Sequence, residues 1–252
     1  MNPQAKATVP VTMPPIIAKA RSESRTLLTE VESKELLKQA GISIIDTRLA
    51  TSREQAIFIS REIIGFPAVL KISSPDIVHK SDAGGVRLGL KTPGQVGKAY
   101  DEILSAINQK HTQARVQGVS VQRMARPGLE VIIGMSKDSQ FGPVLMFGLG
   151  GIWVEILEDV SVRIVPLTQK DAKEMIKEIK GYPLLAGYRS QKAVNISELE
   201  DILLKVSDFV ELNPIVKEVD LNPILAYSDG AIAVDARVVL EDLPQASGGD
   251  NP

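Results

Sequence analysis

From Thr29 onward the chain switches repeatedly between the helical and the extended hydrophobic period. Leu36, Leu37 and Ala40 share one helix face, behind a capping box of Thr29 and Glu32, and Gly41 ends the run. ISIIDTRLA reads as a strand, and Ser52 with Gln55 opens a second helix that buries Ala56, Ile59 and Ile63 before Gly65. GFPAVLKI and VRLGL are strands on either side of a loop ending in Gly84-Gly85, and Pro93 starts a helix carrying Val96, Ala99, Ile103 and Ile107. VQGVSVQRMA and LEVIIGMSKD read as two strands joined at Arg126-Pro127-Gly128, and PVLMFGLGGIWVEIL continues the sheet through Gly148, Gly150 and Gly151. Thr168 with Asp171 caps a helix that turns Ala172, Met175 and Ile179 inward, and Ile196 to Val210 forms another. EVDLNPILAY and AIAVDARVV close as a hairpin around Ser228-Asp229-Gly230. This alternation of strands and helices predicts an α/β fold.

The ends behave differently. Met1 to about Ser22, rich in Pro, Ala and Val without sustained periodicity, reads as a mobile arm, and PQASGGDNP reads as a disordered tail. No period of roughly 20 to 50 residues recurs, which argues against a solenoid. With 252 residues and 44% hydrophobic content, the chain can bury one large core or two smaller ones. A net charge of −2 with interspersed signs excludes nucleic acid and anionic membranes as main partners. No apolar run reaches the roughly 18 residues of a membrane span, no signal-peptide core is found, and cysteine is absent. A cytoplasmic protein whose chemistry rests on oxygen and nitrogen groups is expected.

Two clusters carry that chemistry. Lys71 ends a β-rich run beside a turn, and His79 follows within the loop, flanked by Lys80 and Asp82. Gly84 and Gly85 let the backbone come close to a ligand. The pattern suits phosphate, although no Walker-type GKS or GKT follows, and a histidine in a polar loop can equally be merely solvated. In the last hairpin Asp220 and Asn222 are two apart and project from one face, with Asp235 on the partner strand expected opposite them. Such oxygen donors suit Mg²⁺ shared with substrate phosphates; the plainer alternative is an Asx turn before Pro223. His111, at the end of a polar helix, reads as surface, and Phe147 and Trp153 read as core.

Taken together, EVESKELLKQAGI, GFPAVLKISSPDIVHKSDAGGVRLGL, GLEVIIGMSKDSQFGPVLMFGLGGIWVEILEDVSVRIVPL and EVDLNPI with VDARV resemble the ATP-grasp β subunit of ADP-forming acyl-CoA synthetases. More distantly they resemble the β subunit of succinyl-CoA synthetase. The resemblance spans about Leu27 to Asp242. It implies an ATP-grasp fold of two α/β subdomains, at residues 27–116 and 117–242, clamping a nucleotide between them, with an arm at 1–26 before them and a tail at 243–252 after them. It implies that Lys71 holds nucleotide phosphates, that Gln122, Arg123 and Met124 form the hinge beside adenine, and that Glu130 contacts ribose. Asp220, Asn222 and Asp235 would hold Mg²⁺, and His79 would accept a phosphoryl group relayed from a histidine on a CoA-binding α subunit. Arg163 is a candidate phosphate clamp, or else a structural partner of Glu155 or Glu158. Ser190 replaces the glycine usual after LLAGYR. The implied reaction interconverts acyl-CoA, phosphate and ADP with carboxylic acid, CoA and ATP, and the α subunit is expected as a separate partner. Two alternatives stay open: a self-sufficient ATP-grasp ligase that makes an acyl phosphate directly, and a regulatory module that senses nucleotide.

Overall fold

The computed structural model describes residues 13–77, 79–151, 159–189 and 192–242. Its helices are α1 (Pro15–Ser22), α2 (Glu30–Gln39), α3 (Arg53–Phe58), α4 (Pro93–Lys110), α5 (Gln169–Glu178), α6 (Tyr182–Leu185) and α7 (Ile196–Leu212). The strands are β1 (Thr47–Ala50), β2 (Ala68–Ser73), β3 (Val86–Leu90), β4 (Gly118–Arg123), β5 (Leu129–Asp138), β6 (Gly142–Leu149), β7 (Val160–Ile164), β8 (Val216–Tyr227), β9 (Gly230–Ala233) and β10 (Arg237–Leu240). They build two antiparallel sheets, ordered β1-β4-β2-β3 and β10-β8-β5-β6-β7, with β9 also paired to β8.

Each sheet has its own core. Leu70, Ile72, Ile103 and Val121 belong to a cluster drawn from residues 50–121, whereas Leu37, Ile133, Phe147, Val206 and Leu221 belong to one drawn from residues 17–44 and 131–240. Fully burying such a side chain contributes about 1.5–3 kcal/mol, so each lobe holds a core of its own. The lobes therefore divide differently from the expected boundary at 116/117. Strand β4 lies between β1 and β2, with Ser120 opposite Lys71, so the small lobe runs through residue 123. Helix α2 and the chain up to Ile44 pack in the large lobe, so that lobe is built from both sides of the small one. Nothing local separates β4 from β5 at Arg126-Pro127-Gly128. The two strands form no hairpin but sit in different sheets, because β4's partner β2 is about 50 residues upstream.

Other local readings change for identifiable reasons. The expected arm at 1–26 contains α1, with Pro15 in its first turn and Ile17 and Ala20, three apart, fully buried against the large lobe. Residues 1–12 and the expected tail at 243–252 lie outside the described residues, as do Trp153, Glu155, Glu158 and Ser190. The second helix passes into a π-helical turn at Ile59–Ile64; its wider winding rotates Ile63 outward, to 54% exposed, and brings Ile64 inward. ISIIDTRLA contributes only β1, with Ile44 making a single bridge to Ala233. Both capping boxes form as read, at Thr29/Glu32 and Thr168/Asp171, and Phe147 is fully buried. Among the described residues no helix is long and apolar enough to cross a membrane.

The glycine pair closes the loop after β2. Gly84 has φ +75°, and Gly85 donates to the Lys80 carbonyl at 2.7 Å while its own carbonyl accepts from the Ile72 N–H at 2.7 Å. A Cβ on Gly85 would stand 2.5 Å from Ile72 Cγ2 and 3.0 Å from Lys80 O. Gly85→Ala is therefore expected to lose about 1–3 kcal/mol through overpacking. A urea-unfolding midpoint equal to the parent's would contradict that packing.

Candidate functional site

Where the lobes meet, a cleft of about 330 Å³ is lined by the start of α2, the loop after β2 and the turn between β9 and β10. His79, Lys80, Asp220, Asn222 and Asp235 all face it. The β8 register explains the acidic side: β9 pairs with residues 224–227 and β10 with residues 216–220, so the edge is broken opposite Leu221 to Pro223. Asp235 occupies that break, on a turn and not on a strand facing Asp220, whose register partner is Arg237.

Beneath the cleft lies a charge cluster that sequence reasoning did not anticipate. The buried Glu30 carboxylate accepts from Lys34 at 2.7 Å, Lys71 at 2.8 Å and Lys80 at 2.7 Å, with the Ser120 hydroxyl at 3.4 Å. Lys71 also donates to Asp235 at 2.9 Å, joining the small-lobe sheet to the acidic turn. Lys34 donates to Gln122 Oε1 at 2.6 Å. Burial pushes the Glu30 carboxyl up, but its three ammonium neighbours outweigh that and hold it well below the usual carboxylate range. Burial brings Lys34 down to about 8 against the pull of Glu30. Burial opposes the charge on Lys71 as well, but the two carboxylates of Glu30 and Asp235 together raise its pKa. The lysine with two direct anions keeps its proton more firmly than the lysine with one.

The metal candidates divide. Burial pushes the Asp220 carboxyl up; Arg237 draws it back, and Asp235 and Glu218 push it further. Among the described residues no hydrogen bond or direct ion pair compensates its burial, so a hard cation would stabilise its charged form, and the oxygen donors of Asp220, Asn222 and Asp235 fit Mg²⁺ in kind. Asp235 would have to be shared with Lys71. Among the described residues no group of three or more histidine, aspartate and glutamate side chains is placed to hold a metal by itself. A bound nucleotide's phosphates would complete such a set.

Several expected site residues lie elsewhere. Arg163, on the edge strand β7, pairs with Glu178 and donates to the Val162 carbonyl at 2.9 Å, three strands away from β8. Its partner is Glu178 on α5; Glu155 and Glu158, the partners named in the alternative reading, lie outside the described residues. The Gln122 carboxamide is buried and engaged by Lys34, whereas Arg123 is exposed and Met124, 40% exposed, donates its N–H to Pro67 O at 2.8 Å. Glu130 is exposed on β5 opposite Leu225, and its carbonyl accepts from the Gly150 N–H at 2.7 Å. None of Gln122, Arg123, Met124 and Glu130 lines the cleft; they follow the passage from small lobe to large. Gly84 and Gly85 shape the loop from behind. His111 is exposed at the end of α4.

Comparison with known proteins agrees with this architecture. Residues 19–240 match the model of the ATP-grasp domain. Over 225 residues the chain is 51% identical to the β subunit of acetate–CoA ligase (ADP-forming) I of Pyrococcus furiosus, covering 89% of this chain and 96% of that subunit. The chain belongs to the ATP-grasp family of ADP-forming acetyl-CoA synthetase β subunits. Among solved structures, the ATP-grasp chain superimposes with a TM-score of 0.87 on a chain of Candidatus Korarchaeum cryptofilum acetyl-coenzyme A synthetase 1 bound to coenzyme A and Ca-AMPCP. The two are 46% identical, over 90% of this chain and 98% of that one. Another structure of that synthetase, with Mg-AMPPCP, has its phosphohistidine segment pointing towards the nucleotide-binding site (TM-score 0.79). In a further one the segment is phosphorylated, in an orientation termed site I (TM-score 0.84).

Proposed function

We propose that this chain is the nucleotide half of an ADP-forming acyl-CoA synthetase and that His79 carries the phosphoryl group between it and a CoA-binding α subunit. The observation that carries this reading is the cleft itself. One nucleophilic imidazole with Lys80, and three oxygen donors about 140 to 156 residues further along the chain, converge there, with Lys71 directly below. ATP or ADP would bind across the lobe junction, with Lys71 on its phosphates and Arg123, Met124 and Glu130 along the passage that would meet the nucleoside. Mg²⁺, when bound by Asp220, Asn222 and Asp235, would neutralise phosphate oxygens.

In the ATP-consuming direction an imidazole nitrogen of His79 forms a bond to the γ-phosphorus while the bond from that phosphorus to the β,γ-bridging oxygen breaks. ADP leaves with the electron pair, and the proton on the other ring nitrogen passes to solvent. Lys71 offsets charge on the group in flight, and such electrostatic stabilisation is where most of the acceleration in phosphoryl transfer originates. The phosphorylated loop then delivers its cargo to the α subunit, and the two segment orientations in the Korarchaeum synthetase support such travel.

With acetate, CoA and Mg-ATP, the purified chain alone is expected to become phosphorylated yet to make no acetyl-CoA, because its other histidine, His111, lies outside the cleft. Adding the α subunit is expected to start acetyl-CoA formation. Acetyl-CoA made by the chain alone would favour the self-sufficient ligase, and nucleotide binding without phosphorylation would favour the regulatory module.

A further inference from the structure

We propose that Lys80 is a positioning residue for His79: it docks the loop on Glu30 and exchanges that carboxylate for the phosphoryl group once His79 is phosphorylated. This inference rests on the relay proposed above, and extends it to how the loop is held and then let go.

The attachments of the loop carry the argument. At its base Asp76 pairs with Arg115 at 2.7 Å, and further bonds run from Ala83 N–H to the His79 carbonyl and from Gly85 N–H to the Lys80 carbonyl. All of these lie within the small lobe and move with it. Among the described residues the contact tying the loop tip to the large lobe is Lys80 Nζ on Glu30 Oε2, at 2.7 Å, with Asp235 at 4.0 Å. The residue beside the proposed nucleophile is thus the one that fixes the loop's position.

Glu30 can release this cation. Its Oε1 is already bonded to Lys34 and Lys71, whose side chains are 4% and 9% exposed; Lys80, on Oε2, is the most exposed of the three, at 18%. When Lys80 departs, two ammonium groups still compensate the buried carboxylate, and the Ser120 hydroxyl remains beside Oε2. Phosphorylation supplies the competing anion, because a phosphoryl group on the neighbouring residue adds about two negative charges and three acceptor oxygens. It also places that charge in a cleft walled by Glu30, Asp220 and Asp235, where like charges repel it. Docking is therefore favoured before transfer and disfavoured after it.

The test uses Lys80→Met and Lys80→Arg in the full chain. Amide hydrogen exchange of Ala83, Gly84 and Gly85 is expected to quicken at least tenfold in Lys80→Met and to return towards the parent rate in Lys80→Arg. Unchanged protection in Lys80→Met overturns the docking, whatever the relay does. In rapid-quench labelling at saturating Mg-ATP, Lys80→Met is expected to phosphorylate His79 at least tenfold more slowly. Handover from the already phosphorylated variant to the α subunit should keep the parent rate. If handover slows as much as labelling, Lys80 acts on the reacting phosphoryl group itself and the exchange is overturned. If the unmodified chain takes no label from ATP, the relay fails and the exchange fails with it, while the exchange-rate comparison still decides the docking.

Discussion

His79→Asn is expected to abolish ATP-dependent phosphorylation of the chain and to lower turnover of the complete complex by at least roughly 10³-fold, the scale of loss when a covalent nucleophile is removed. The label on the unmodified chain should be acid-labile and stable to alkali, as a phosphoramidate is. Neither a serine ester nor an aspartyl phosphate combines those properties. Asparagine keeps polarity and approximate size, and the loop's attachments run through Lys80, Asp76 and the glycine pair, so the fold should persist. Nucleotide binding should also persist, through Lys71 and the acidic turn. A His79→Asn protein still labelled in that chemical form, or a complex at full turnover without His79, would exclude the relay.

Replacing Glu30 by Gln is expected to have the largest effect on stability. It leaves Lys34, Lys71 and Lys80 around a neutral amide in a buried site, and breaking a buried ion pair from one side costs about 3–5 kcal/mol. The pH dependence follows from the lowered carboxyl. A depressed folded-state pKa contributes stability that is fully present above the unfolded value, near 4.3, and is lost as pH falls through the folded one. The carboxyl's own share of the gap between parent and Glu30→Gln should therefore persist down to about 4.3 and close only in stronger acid. Adding Lys34→Met to Glu30→Gln should recover part of the loss, since one fewer cation is stranded. Equal denaturation midpoints for parent and Glu30→Gln at pH 7 would mean that the cluster contributes nothing to folding.

Glu30 also marks the limit of what the sequence discloses. Asp220, Asn222, Asp235, Lys71 and His79 are legible because each stands in a short pattern whose chemistry is local: a strand end, a polar loop, alternate residues on a strand. Glu30 stands in the first turn of a helix, where an acidic residue is ordinarily explained by the helix dipole and water. Two of its three partners are 41 and 50 residues away and meet it only when the small lobe closes on α2. One signal was available: Glu30 and Lys34 fall on the same helix face as Leu37 and Ser33, which is the buried one. Arg163 shows the opposite limit: the resemblance marks it as a phosphate clamp or a partner of Glu155 or Glu158, whereas the edge strand sets it beside Glu178, on a helix that only the fold brings near. Strand β5 was legible residue for residue, whereas the β4–β5 link was not, because a three-residue turn can close a hairpin or carry the chain between sheets and only the distant β2 decides.

The register at the edge of the small sheet has a consequence for how such a chain could have been assembled. Thr47, where the chain enters that lobe, lies directly opposite Gln122, where it leaves. The lobe's entry and exit are thus neighbouring ends of two paired strands, and among the described residues its core is drawn from residues 50–121. A segment with adjacent ends and its own interior is a cassette: it can be lifted out, the gap bridged by a short linker, and each piece left with an intact interior. Grafting the 46–123 cassette of one relative into the frame of another would then carry the histidine loop across as a unit, with Glu30 and Asp235 of the recipient waiting to receive it.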